Sequence, residues 1–387
     1  MQTIHQQFQI DYSYSIFFTQ NLFSKNNSTL HDFLESFETD GFQRKALFVL
    51  DAGLLPHYPQ LQENIRAYFV ESKSAASLVD KILTVPGGEA AKNDPALFDT
   101  IVKAIDKQGI DRHSLVIGIG GGAVLDLVGY AAAVSHRGIR HIRIPTTVLS
   151  QNDSGVGVKN GINYQGKKNF LGTFAPPVAV FNDSTFLQTL DNRDWRGGIS
   201  EAIKVALIKD KTFFEWIETN ADALAMRDLP TMEKLIHRCA EMHTDHIRSG
   251  DPFEFGSSRP LDFGHWAAHK LEYLTNFEVR HGEAVAIGIG LDSIYSHKMG
   301  YIEEADLTRI LSLFEKLGFN LYNSRLSEND KINLRHGLAE FREHLGGRLT
   351  IMLLAAIGLG VEVHEMDEGI ISDSVDYLAN RYLSESV

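Results

Sequence analysis

The sequence predicts an α/β domain over residues 1–185 followed by an all-helical domain over residues 186–387. Three observations carry that expectation. Short β-rich runs alternate with helical patterns in the first part, and strand signals nearly vanish after about Asp183. A glycine-rich turn, Gly118–Ala123, joins a predicted strand to a predicted helix. The length of 387 residues also fits two domains, at ~150 residues per domain.

Taken in order, Ala46–Leu50, Lys81–Val85, Leu115–Ile119, His141–Ile144 and Val178–Phe181 read as buried strands. They are apolar and β-branched, and are bounded by Gly, Pro or Asp. Helical stretches such as Ala96–Gln108 and Ala123–Ser135 lie between them, which implies a mainly parallel sheet covered by helices on both faces. Beyond the polar stretch Asp191–Trp195 come the amphipathic stretches Lys211–Met226, Thr231–Arg248, Gly264–Thr275, Ala284–Lys298 and Glu303–Leu317. Only Leu349–Leu354 looks strand-like there. A cleft between two such domains is the default place for a ligand.

Composition excludes several classes. Hydrophobic residues make up 43% and charged residues 22%, as in globular proteins and unlike disordered chains. Against 50 acidic residues stand 37 basic ones, and the formal charge of −13 argues against nucleic acid or an anionic membrane as partner. Any anionic ligand must be held by a local basic cluster. The single cysteine, Cys239, excludes an internal disulfide framework and a cysteine zinc site, and fits a reducing compartment. No apolar run approaches ~18 residues, and the N-terminus lacks the features of a signal peptide, so a cytoplasmic location is expected.

Three constellations point to chemistry. In the first, Gly118-Ile119-Gly120-Gly121-Gly122-Ala123 fits G-x-G-x-x-[G/A], where glycines let the backbone approach a pyrophosphate at a helix N-terminus. No acidic residue stands obviously ~20 positions later to grip a ribose. Asp51, at the end of an earlier strand, and Glu89 are the better candidates, and both would repel a 2′-phosphate. Asp126, inside the helix, reads equally as an exposed first-turn acid.

In the second, Gln151–Gly172 reads as a loop with five glycines that carries Lys159, Lys167 and Lys168. With Asn169 and upstream Arg137 it could supply several donors to a phosphate. A solvated basic loop is the alternative.

In the third, His265 and His269 at i, i+4 share one face of a helix, and His281 begins the next helical segment, as two antiparallel helices would require. With a carboxylate such as Glu201 they could make an N/O metal site with an open position. Sixteen histidines in the chain keep a chance pairing open. Lys204 stands at i, i+3 from Glu201, and the plain alternative for that pair is a surface salt bridge worth less than ~1 kcal/mol.

Taken together and in this order, GGGAVLDLVG, PTT, the D-S-x-V-G-x-K…GKKN block, EAIK, GHxxxH and HGEAVAIG resemble the sugar-phosphate cyclase superfamily, whose best-known member is 3-dehydroquinate synthase. The resemblance runs from about Ala46 to Gly358. It implies a Rossmann-like N-terminal domain and a helical, metal-binding C-terminal domain. It implies NAD on Gly120, Gly121 and Gly122, with Asp51, Glu89 and Lys92 near the ribose, Thr146 and Thr147 by the pyrophosphate and nicotinamide, and Asp126 and Thr189 in the same set. Zinc, or cobalt, would sit on Glu201, His265 and His281. Asp153, Lys159, Lys204 and His269 would handle protons and hydroxyls. Lys159, Lys168, Asn169 and Arg137 would hold phosphate, with Arg137 supplied by a partner subunit, which implies a homodimer. The implied reaction is transient oxidation by NAD, β-elimination of phosphate, re-reduction, ring opening and an aldol closure: a lyase reaction with no net redox change.

The resemblance also has departures. Dehydroquinate synthases hold a substrate carboxylate with a lysine upstream of the first metal histidine and an arginine nearer to it. Here the equivalents are Met242, or a neighbour, and Ser258. An asparagine of the family is Asp262, and a C-terminal lysine pair is replaced by Phe341-Arg342-Glu343-His344. These changes resemble the cyclases that convert sedoheptulose 7-phosphate to valiolones, although those replace the second histidine of GHxxxH and His269 is kept here. The expected substrate is sedoheptulose 7-phosphate, with Asp262 and Arg259 lining its site. Arg259 or Arg248 could still pair with a carboxylate, so the heptulosonate of true dehydroquinate synthases is the alternative. Iron-dependent alcohol or glycerol dehydrogenases share the two-domain plan, but resemble a site of one Asp and up to three His and lack the GKKN block.

Overall fold

The computed structural model describes residues 2–37, 44–72, 76–165, 167–249, 252–253, 262–344 and 349–383. The chain divides into two compact units, Met1–Pro145 with Gly157–Asp183, and Thr146–Val156 with Ser184–Val387. The second unit therefore takes residues 146–156 from within the region that a cut at residue 185 assigns to the first. The physical reason is packing: Val148 belongs to the core of the helices.

The first unit is built on a parallel sheet. Its strands are β1 (Ser15–Thr19), β2 (Arg44–Asp51), β3 (Ala76–Leu78), β4 (Leu83–Val85), β5 (Leu115–Gly120) and β6 (Arg140–Pro145). They are joined, after the hairpin β7 (Lys159–Tyr164) and β8 (Lys167–Phe174), by β9 (Ala179–Asp183). The order is β1-β9-β6-β5-β2-β3, with β4 also paired to β2, and every one of these pairings is parallel. Each residue of β5 and of β9 is buried, as expected of strands covered on both faces. Around the sheet lie α1 (Thr29–Glu35), α2 (Leu61–Ser72), α3 (Ala90–Asn93), α4 (Pro95–Lys107) and α5 (Gly122–Val134).

The segment Gln151–Gly172 is not the loop that its glycines and asparagines suggest. Ser150–Ser154 forms a π-helical turn, and β7 and β8 pair antiparallel with Lys159 opposite Phe174. Asn160 does not turn the chain because its side chain has partners inside the unit. Its Oδ1 accepts from Arg143 Nη2 at 2.7 Å, and its Nδ2 donates to the Ala175 carbonyl at 2.9 Å.

The second unit comprises α6 (Asn192–Lys209), α7 (Lys211–Thr219), α8 (Ala221–Ala225), α9 (Leu229–Arg248), α10 (His265–Leu274), α11 (His281–Lys298), α12 (Glu304–Lys316), α13 (Ile332–His344) and α14 (Glu368–Leu383). The expected helix Lys211–Met226 is divided in two at Asn220, which ends α7 and begins α8. The run at Leu349–Leu354 becomes β10 (Ile351–Ala356), paired with an unforeseen β11 (Leu359–Val363). Among the described residues, no helix is long and apolar enough to cross a membrane.

The crossing of α6 and α11 positions the site. A Cβ on Gly282 would fall 2.2 Å from the Gly197 carbonyl oxygen, so backbone meets backbone there. Overpacking at a contact that cannot yield costs ~1–3 kcal/mol. Gly282→Ala is expected to lose stability of that order in urea unfolding, and a variant as stable as the parent would contradict this account.

Candidate active site

In the α/β unit, β5 delivers the chain into α5 through Gly121, an extended N-cap residue with φ −71° and ψ 171°. The backbone N–H groups of Gly121 and Gly53 donate to the Asp51 carboxylate, the latter at 2.8 Å. Burial raises the Asp51 pKa, and these two donors oppose the rise. Lys92 is buried and paired with Asp126 at 2.8 Å, so the Asp126 carboxylate is an ion-pair partner rather than a free surface acid.

Asn163, which the sequence did not single out, ties β7 to α3. Its Nδ2 donates to Glu89 Oε1 and to Asn93 Oδ1, both at 2.8 Å, while its Oδ1 accepts the Asn169 N–H at 2.8 Å. Lys159 and Asn169 are exposed and Lys168 is half-buried on the hairpin. Arg137 is exposed at the end of a short turn, where His136 and Arg137 have φ of 51° and 63°. Two successive left-handed non-glycine residues are uncommon and hold this arginine outward at some conformational cost.

In the helical unit, the π-helical turn is closed by Thr147, whose Oγ1 accepts the Ser150 N–H at 3.1 Å. Thr146 is buried and Thr189 half-buried. The turn presents Asp153, with Oδ1 3.0 Å from His243 Nδ1. Burial and the Glu201 charge push the Asp153 pKa up. The contact with His243 and the Lys204 ammonium outweigh them, and the net shift is downward.

Glu201 and Lys204 lie one helical turn apart on α6, both buried and ion-paired with each other. This overturns the surface salt bridge alternative. Taking an ion out of water costs several kcal/mol, so neither charge is tolerable without the other. For Glu201, burial acts upward, but Lys204 and His281 hold its pKa down, at about 2. Lys204 stays cationic because Glu201 and Asp153 more than offset its desolvation, with Asp262 adding to them.

The α10 and α11 histidines converge on that carboxylate. His265 Nε2 is 3.6 Å and His281 Nε2 is 3.3 Å from Glu201 Oε1. All three ligand atoms lie within 4.8 Å of one another. On the far side of each ring, His265 Nδ1 donates to the Phe263 carbonyl at 3.2 Å, and His281 Nδ1 meets Glu272 Oε2 at 3.2 Å. A carbonyl only accepts, so the His265 proton sits on Nδ1 and its Nε2 lone pair faces Glu201. Burial, Lys204, His269 and His281 also keep His265 neutral. Lone pairs and a carboxylate directed at one another repel unless a cation lies between them. Among the described residues, the carboxylates of Glu201, Glu272 and Asp153 gather here around the ammonium of Lys204. The residues fit a divalent metal, and two imidazoles with one carboxylate suit zinc.

His269 stands beside this cluster, its ring 5.4 Å from that of His265 and 6.2 Å from that of His281, outside the ligand set. Asp262 is half-buried. Arg259 and Ser258 lie outside the described residues. Arg248 is exposed and paired with Asp245 at 2.6 Å. Met242 is buried in the hydrophobic core, and its neighbour His243 is the residue that reaches Asp153.

Asp292 fixes the start of α10. Gly264, with φ +77°, donates its N–H to Asp292 Oδ2 at 3.0 Å, and Trp266 Nε1 donates to Oδ1 at 2.9 Å. The only sequence signal was an aspartate within an otherwise apolar helical run.

The parallel sheet, the helical unit and its two-histidine, one-carboxylate centre define a dehydroquinate synthase-like fold. Residues 82–197 match the family model for the 3-dehydroquinate synthase N-terminal part, and residues 198–336 match the one for the C-terminal part. The chain belongs to the 3-dehydroquinate synthase family. A 3-dehydroquinate synthase of Halorhodospira halophila is 33% identical over 339 residues, covering 84% of this chain and 93% of the relative.

Among solved structures, 2-epi-5-epi-valiolone synthase from Streptomyces hygroscopicus subsp. jinggangensis 5008, with NAD+ and Zn2+ bound, is similar at a TM-score of 0.86. It is 29% identical, with 98% of this chain and 100% of that one covered. A 2-deoxy-scyllo-inosose synthase complexed with carbaglucose-6-phosphate, NAD+ and Co2+ shares the fold at a TM-score of 0.77 and 22% identity, over 93% and 95% of the two chains.

Two outcomes are expected. Glu201→Gln and His265→Ala should each lose zinc in metal analysis of the purified proteins, and full stoichiometric retention in both would remove the ligand assignment. Burial raises the Asp292 pKa from 3.8 to about 7 despite its two donors. The native state thus binds more protons than the unfolded chain in that window, and stability falls as pH rises through it. Asp292→Asn should abolish that component. Urea unfolding of metal-free parent and variant at pH 5 and pH 8 measures it, and identical pH slopes would contradict the assignment.

Proposed function

We propose that this chain is an NAD- and zinc-dependent sugar-phosphate cyclase that eliminates phosphate from sedoheptulose 7-phosphate and closes the product into a carbocycle. The observation that carries the reading is the Glu201–His265–His281 cluster beside the buried Lys204 in a chain of this family. When bound, NAD would supply a reversible hydride acceptor and zinc a Lewis acid for a substrate hydroxyl.

The glycine turn Gly120–Gly122 would cradle the pyrophosphate. Asp51 and Glu89, with Lys92, Asp126, Thr146, Thr147 and Thr189 in support, would hold the remainder of the dinucleotide. Two carboxylates favour ribose hydroxyls and repel a 2′-phosphate, hence NAD rather than NADP. Oxidation at one carbon acidifies its neighbour's C–H. Lys204, Asp153, Lys159 and His269 are the groups proposed to move protons as phosphate leaves from the β-carbon. Lys159, Lys168 and Asn169 would grip that phosphate. Arg137, held outward on its turn, would serve the site of a second copy in a homodimer.

The substrate choice rests on charge. A carboxylate entering a buried site needs a cation to replace its hydration. In the helical unit Glu201, Asp153 and Asp262 all act on Lys204, and that ammonium is already paired with Glu201. A neutral ketose end suits these surroundings better. The relatives named 3-dehydroquinate synthase at 33% identity favour the carboxylated heptulosonate as the second reading.

The test offers each ketose phosphate to the purified enzyme with NAD and zinc, and follows phosphate release and product mass. Sedoheptulose 7-phosphate should turn over with no net NADH. Turnover of the heptulosonate alone would overturn the substrate, and stoichiometric NADH would indicate a polyol dehydrogenase instead. Lys168→Ala should lose ~1.5–3 kcal/mol in kcat/KM, the worth of a charge-assisted contact.

A further inference from the structure

We infer that Glu272 is a positioning residue of the metal centre, orienting His281 and raising the donor strength of its Nε2. The inference rests on the metal reading above. Glu272 is 4% exposed and lies in the last turn of α10, which ends at Leu274. Both circumstances are unfavourable for an anion. Burial strips its hydration, and the C-terminal end of a helix carries partial negative charge. Packing alone would be served better by an apolar or cationic side chain at this position.

There the carboxylate meets His281. Its Oε2 lies 3.2 Å from Nδ1, the ring nitrogen remote from Glu201. Accepting the Nδ1 proton locks the tautomer that leaves Nε2 free to donate to a cation, and a full negative charge behind the ring strengthens that donation. Among the described residues, His265 has the Phe263 carbonyl, a neutral acceptor, in the same role. The two histidines are therefore unequal, and His281 is the one whose strength the chain sets with a charged side chain.

The experiment measures zinc affinity by competition with a chromophoric chelator for the full-length parent, Glu272→Gln and Glu272→Ala, together with the absorption spectrum of each protein loaded with cobalt. Glutamine retains an acceptor but not the charge and should bind zinc about tenfold more weakly, and alanine about 100-fold more weakly. The cobalt bands should shift in both, as they would not for a residue that only fills space. Parent affinity and parent spectrum in Glu272→Gln would overturn the inference, including where Glu272→Ala fails to fold. A parent chain that binds no zinc would overturn the metal reading itself, and this inference with it.

Discussion

The burial of one carboxylate organises the helical unit. Glu201 has no exposed side-chain surface, and an isolated ion in that position would cost several kcal/mol. Its compensation within the chain comes from Lys204 one turn along its own helix, and the Nε2 atoms of His265 and His281 converge on it from two other helices. That arrangement needs α6 and α11 closer than side chains would allow. Gly197 lies one turn before Glu201, and Gly282 directly follows His281. Their backbone contact therefore sets the distance from the carboxylate to the histidine.

Around this centre, a second ring of groups decides orientation. The Phe263 carbonyl and Glu272 choose which nitrogen of each histidine carries the proton, Asp292 holds the turn from which His265 departs, and His243 holds Asp153. The flanks of His281 are tied down by ion pairs of Arg193 with Glu283 and of Arg280 with Asp191 and Asp194. Single exposed pairs are worth little. Arg193, however, reaches both oxygens of Glu283, and Arg280 both of Asp191, and such forks fix direction as well as distance.

The central strands and the amphipathic helices were legible in the sequence because their burial is written as a local period. β1 and β3 were not: one is only partly buried along its length, and the other is three residues long. The hairpin β7–β8 was misread because Asn160 and Asn163 look like turn formers, yet both are buried and satisfied within the unit. At the site, His265, His269 and His281 were visible from helical spacing with Glu201 as a candidate carboxylate, and the family resemblance joined Glu201, His265 and His281 as one ligand set. Asn163, His243, Glu272 and Asp292 were missed because each works by touching an element remote in sequence or standing on another helix, and no spacing rule encodes such a contact. Met242 drew attention through its register, whereas the structure turns it into the core, and the next residue, His243, stands 3.0 Å from Asp153.

The hairpin also bears on how a chain of net charge −13 could hold an anion. Beneath it lies Arg143, 1% exposed, donating to the carbonyls of Gly157 and Lys159 and to Asn160. Burial lowers the Arg143 pKa, but a guanidinium starts so high that it remains charged at neutral pH. The residues proposed to grip phosphate thus stand on a strand pair pinned from below by a permanent cation. A flexible loop with the same lysines would have its backbone ordered on binding, at ~1–2 kcal/mol for each residue fixed. Paired strands have spent part of that entropy during folding. The glycines and asparagines that make this segment look loose in sequence therefore belong to one of its more constrained pieces.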